Sequence, residues 1–154
     1  MKDQGRAPIR IGYKSEKLAQ QIGESMGKVP PQALELEEAV LGALMLEKDA
    51  LSAVIDILKP ASFYKDAHSL IYEAIRTLFN ESQPIDLLTV TNQLRKDGTL
   101  EEVGGAYAVT NLTTKVNSAA NVEYHARLIT EMAIKRELIR VAGEIQHEIG
   151  RAHV

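Results

Sequence analysis

The chain has 154 residues, the size of one ordinary domain, and its lack of cysteine excludes disulfides, thiolate-metal sites and cysteine nucleophiles. Hydrophobic residues make up 45% but aromatic ones only 5%, an aliphatic inventory that suits helix-on-helix packing better than a β-sandwich, so the expected class is all-α. A formal net charge of −3 argues against tight autonomous binding to a phosphate backbone, and with no apolar run near the roughly 18 residues of a membrane span and no secretory h-region, a cytoplasmic protein is expected.

Residues 1–28 mix Lys2, Arg6, Arg10, Lys14 and Lys17 with Gly, Gln and Ser, carry no sustained apolar period, and read as a flexible tail. Pro30 and Pro31 then lead into a first helix, with Glu35, Glu37 and Glu38 near its positive end and Leu36, Val40, Ala43 and Leu44 inward to about Leu46. Gly42 inside it costs roughly 1 kcal/mol against Ala, which points to close packing of a neighbouring helix. Asp49 is a candidate N-cap for a second helix with Leu51, Val54, Ile55 and Leu58 on one stripe, ended by Lys59-Pro60. Beyond Phe63-Tyr64, Asp66 is a candidate cap for a third, whose Ile71, Ala74, Ile75, Leu78 and Phe79 form a core stripe; Pro84 stops it. Asp86 caps a fourth, with Leu87, Val90 and Leu94 inward and Gly98 as a left-handed stop. Gly104-Gly105 reads as a hinge before a fifth helix, residues 106 to about 115, with Val109 and Leu112 buried. Asn117 or Ser118 caps a sixth that reaches about Ile149.

The sixth helix carries two apolar faces. Val122, Ala126, Ile129 and Ala133 share one; Ile134, Leu138, Val141, Ile145 and Ile149 share another, displaced by one residue, about 100° around the axis. Either the helix bends or breaks near 133–134, or it is continuous and packs on its own domain with one half and on another chain with the other. Glu123 with Arg127 and Glu131 with Lys135 are i, i+4 pairs that favour the long helix. Residues 150–154 break the helical pattern and are expected to be irregular.

Sites of chemistry are few. Gly23-Glu24-Ser25-Met26-Gly27-Lys28-Val29 has one residue too few between its glycines for a P-loop and Val where a Ser or Thr must reach magnesium. His68, His125, His147 and His153 form no metal-binding arrangement and are expected on the surface, His125 near an interface at most. No serine sits in a nucleophile elbow. Lys135, Arg136 and Arg140 are interleaved with Glu131, Glu137 and Glu144, the pattern of a solvated face. No catalytic, cofactor or metal residue is expected in this chain.

Val29-Pro30-Pro31-Gln32, Val40-Leu41-Gly42-Ala43, Leu58-Lys59-Pro60, Phe63-Tyr64, Pro84-Ile85-Asp86, Glu102-Val103-Gly104-Gly105 and Ser118-Ala119-Ala120-Asn121, in this order and spacing, together resemble the N-terminal domain of the DnaB-type bacterial replicative DNA helicase. The opening tail is similar to those of Bacteroidetes members. The resemblance implies a globular helical head over about 29–100 and an antiparallel helical hairpin over about 103–149. It also implies hairpin pairing between subunits into a hexameric, trimer-of-dimers collar, docking of primase, and DNA engagement mainly through the full-length hexamer. ATP and magnesium would belong to a motor domain absent from this chain.

Under that resemblance the interface candidates are Tyr107, Leu112, Val122, Tyr124, Ile129, Met132, Ile134 and Leu138. Ile129, Met132, Ile134 and Leu138 are expected to be partly exposed in a monomer. Tyr107 and Tyr124 are the expected aromatic anchors for primase. The rivals are the helicase-binding domain of a primase, which has a similar fold, and a small helix-turn-helix regulator, which the acidic balance disfavours.

Overall fold

The computed structural model describes residues 29–116 and 118–152, and among them every regular element is helical. Helix α1 spans Leu34–Leu46, α2 Ala50–Val54, a 3-10 turn Pro60–Ser62, α3 Asp66–Asn80, α4 Leu87–Lys96, α5 Gly105–Thr114 and α6 Val122–Ala152. The tail with its Gly23–Lys28 string, the Asn117 cap candidate and His153 lie outside the described residues. No helix among the described residues is long and apolar enough to cross a membrane.

Local chemistry sets some boundaries as expected and others differently. At α4 the Asp86 carboxylate accepts from the Thr89 amide at 2.9 Å while the Thr89 hydroxyl accepts from the Asp86 amide at 2.9 Å, a reciprocal cap. Gly98 follows with φ +75. Asp49 makes no such bond, and α2 stops at Val54, where the Ile57 and Leu58 amides both turn back to the Val54 carbonyl; Leu58 is buried nonetheless. Asp66 is the first residue of α3 rather than its cap. The expected Gly104-Gly105 hinge is a tight turn: both glycines have positive φ, and the Gly105 amide returns to the Leu100 carbonyl at 2.8 Å. Nor is the end irregular through residue 152, because Gly150 is absent from the positive-φ positions that terminate helices and α6 runs on to Ala152.

Two compact units divide the chain. One is Pro31–Arg136; the described part of the other is residues 29–30 and 137–152. Within Pro31–Arg136, α1 packs against α3 and α5, α3 against α4 and the 3-10 turn, and α4 against α5. Helix α5 thus packs on α1 and α4 within the unit Pro31–Arg136. The α1–α5 contact is so close that a Cβ on Gly42 would lie 2.2 Å from the Leu112 carbonyl oxygen.

The aliphatic core holds two polar devices. Tyr72 is fully buried and donates its hydroxyl to the Leu58 carbonyl at 2.9 Å; burial pushes its pKa up to about 12. Glu37 of α1 is also buried. Its carboxylate accepts from the Tyr64 amide at 2.9 Å and the Lys65 amide at 3.4 Å, and lies 2.9 Å from His68 Nδ1. It therefore serves the start of α3, where Lys65 offers no side-chain cap. His68, expected at the surface, is buried because it completes this cluster.

Candidate interaction surface

Helix α6 is continuous over Val122–Ala152, so the chain does not break near 133–134. Its early apolar face faces the core: Val122, Ala126 and Ile129 are buried. Thr130 adds a hydrogen bond from its hydroxyl to the Ile57 carbonyl at 3.3 Å. From Ile134 onward the apolar set turns to solvent, with Ile134, Leu138, Ile145 and Ile149 each about half exposed and Val141 38% exposed. Their spacing of four, three, four and four residues keeps them on one stripe.

The stripe is flanked by ion pairs rather than by isolated charges. Lys135 pairs with Glu131 at 3.2 Å, and Arg140 pairs with Glu137 at 2.6 Å and also with Glu144. The Arg140 guanidinium holds the Glu137 carboxyl below the usual carboxylate range, and the two acids raise the Arg140 pKa in return. Both Glu137 and Arg140 are surface groups, so these pairs support helix geometry and solubility more than stability. The expected Glu123–Arg127 pair also forms, at 2.8 Å.

The eight interface candidates separate into two groups. Tyr107 is 77% exposed and Tyr124 63%, Ile134 and Leu138 join the free stripe, and Met132 is half-buried. Leu112, Val122 and Ile129 are instead core residues: Leu112 faces Gly42 across the α1–α5 contact, and Ile129 is only 1% exposed. The expectation that Ile129 is partly exposed in a monomer is therefore corrected. An Asp placed there would disrupt the core and report nothing about pairing.

Val141, Ile145 and Ile149 belong with Ile134 and Leu138, as their shared period already indicated. Leu88, 70% exposed on α4, and Phe79, exposed although expected in the core, carried no such signal. Arg136 departs from the solvated basic face assigned to it. Its Nη1 donates to the Pro31 carbonyl at 2.9 Å, its Nη2 to the Ser62 carbonyl at 3.0 Å, and its guanidinium lies 5.4 Å from the centre of the Tyr64 ring.

Comparison with known proteins supplies the context for this surface. A family model described as "DnaB-like helicase N terminal domain" matches residues 29–131. The replicative DNA helicase DnaB of Rhodothermus marinus is 46% identical over 132 residues, covering 86% of this chain and 14% of that protein. The chain thus spans a small fraction of that relative's length. Among solved structures, the N-terminal domain of DnaB helicase from Mycobacterium tuberculosis superposes with a TM-score of 0.75 at 37% identity, covering 77% of this chain and 86% of that one. A DnaB-like replicative helicase, described with its interactions with primase, matches with a TM-score of 0.67 at 25% identity over 77% of this chain and 28% of its own.

Proposed function

The chain belongs to the DnaB-like helicase N-terminal domain family, and on that premise we propose that it is the assembly and partner-docking module of a replicative DNA helicase. The observation that carries this reading is the free stripe Ile134–Leu138–Val141–Ile145–Ile149 on a helix whose other face is used up by its own core. Five exposed aliphatic side chains in one row are the kind of surface that a second copy of the same helix covers. Pairing of this kind is the elementary contact of a hexameric collar. The ATP- and magnesium-dependent motor and most of the DNA contacts then belong to the rest of the parent protein, in keeping with the greater length of the relatives. Primase is the proposed external partner. The likeness to a helicase described with its interactions with primase supports it, and exposed Tyr107 and Tyr124 are the aromatic anchors best suited to such docking.

The test is sedimentation of the chain over a wide concentration range, beside Leu138→Asp and Ile145→Asp. The expected result is a concentration-dependent dimer that either substitution weakens at least about tenfold, since each places a charge in an apolar contact, with helical content unchanged. A strict monomer at high micromolar concentration, or pairing indifferent to both substitutions, refutes the reading.

A further inference from the structure

We infer that Arg136 is a clasp that seats α6 up to residue 136 on the body of the domain and pre-organises Ile134, where the free stripe begins, for pairing. The inference rests on the self-association reading for its functional half and on geometry for the rest. One planar cation engages three features far from it in sequence: the carbonyl of Pro31, where the compact unit begins, the carbonyl of Ser62 in the 3-10 turn, and the ring of Tyr64 just beyond it. Arg136 is itself the last residue of that unit, so the clasp joins its two ends. Among the described residues, the only other side-chain hydrogen bond from α6 to another element of the unit is that of Thr130 to Ile57, at 3.3 Å a longer one.

The chemistry requires a guanidinium. Two carbonyls and an aromatic face are satisfied together only by a rigid fork with several N–H donors and a flat, weakly hydrated surface; a lysine ammonium keeps the charge but loses the planar fork and the stacking. Position matters equally. The last fully buried apolar residue of α6 is Ile129 and the free stripe begins at Ile134, and Arg136 adds its polar contacts beyond Ile129, at the end of the unit. With the clasp open, residues 130–136, which carry Ile134, rock on their seat, and pairing must then bear the ordering cost that the clasp removes.

Amide hydrogen exchange and sedimentation on the wild-type chain, Arg136→Gln, Arg136→Lys and Tyr64→Leu test this. In both Arg136 variants, exchange over 130–136 and 62–64 should quicken about tenfold, as expected for losing a charge-assisted hydrogen bond, while α4 is unaffected. The dimer dissociation constant should rise about fivefold or more although no residue of the stripe has changed. Tyr64→Leu removes only the stacked ring, should give a smaller shift in the same direction, and carries the comparison if Arg136→Gln fails to fold. Wild-type behaviour in Arg136→Lys overturns the clasp, as does quickened local exchange with unchanged association. A wild-type chain that never pairs refutes the self-association reading instead; exchange alone then judges the seating role, and unchanged local rates overturn it.

Discussion

Gly42→Ala adds a single methyl group at the closest approach of two helices, and its effect follows from distances. An ideal Cβ at this position would lie 2.2 Å from the Leu112 carbonyl oxygen, 2.3 Å from Val116 Cγ2 and 3.0 Å from the Leu112 carbonyl carbon. Favourable contact needs about 3.5 Å, so α5 must withdraw by roughly 1 Å. Val116 can rotate away, but a backbone carbonyl cannot, and α5 is also packed against α4. Overpacking of this kind costs about 1–3 kcal/mol, against about 1 kcal/mol gained from alanine's higher helix propensity. The rigidity of the obstacle puts the cost at the upper end, for a net loss of about 2 kcal/mol, and the melting temperature should fall by about 4–8 °C. Thermal unfolding followed by far-UV circular dichroism at a fixed low concentration measures it. Gly150→Ala is the control, because apart from its chain neighbours and the nearby backbone of its own helix no atom lies within 4 Å of its added Cβ; it should leave stability unchanged or raise it by up to about 1 kcal/mol. A Gly42→Ala variant that melts at or above the wild-type temperature refutes the close-contact argument.

Glu37→Ala should cost about 3 kcal/mol, because it leaves the Tyr64 and Lys65 amides and His68 Nδ1 without their acceptor; denaturant unfolding checks this, and a loss under about 1 kcal/mol contradicts it. Tyr72 gives a pH signature. Its ionisation is resisted in the folded state, with the pKa moved from 10.0 to about 12, so its contribution is intact below pH 10 and lost as the pH rises towards 12. Tyr72→Phe should lose about 1 kcal/mol near neutral pH with the Leu58 hydrogen bond and show a shallower alkaline decline. Identical alkaline profiles for the two proteins would remove Tyr72 from the account.

What the sequence reveals here depends on how far apart the interacting residues lie. The Asp86–Thr89 cap, the Glu123–Arg127 and Glu131–Lys135 pairs and the single apolar row from Ile134 to Ile149 are all encoded within one or a few helical turns, and all are readable from spacing. Gly42 is readable for a related reason, since a glycine inside a helix needs a close neighbour, although nothing in its surroundings names Leu112. Burial of His68 was not readable, because its partner Glu37 is 31 residues away. Arg136 resembled its exposed neighbours Lys135 and Arg140 until the carbonyls of Pro31 and Ser62 were placed beside it. The buried interface candidates show a deeper limit. A helix face looks the same in sequence whether its own domain or another chain covers it, so Leu112, Val122 and Ile129 were indistinguishable by period from Ile134 and Leu138.

The carboxylate of Glu37 bears on the order in which the chain folds. Helix α3 has no side-chain cap of its own, and the amides of Tyr64 and Lys65 at its start are satisfied only from α1. The backbone bonds of the first turn of α3, from the His68 and Ser69 amides to the Lys65 carbonyl, are local, but the two amides before the helix gain their acceptor only when a loop of almost thirty residues closes. If that closure precedes the rate-limiting step, φ-values at Glu37 and at Tyr64 and Lys65 should be high together, whereas α4, capped by its own Asp86, needs no such closure.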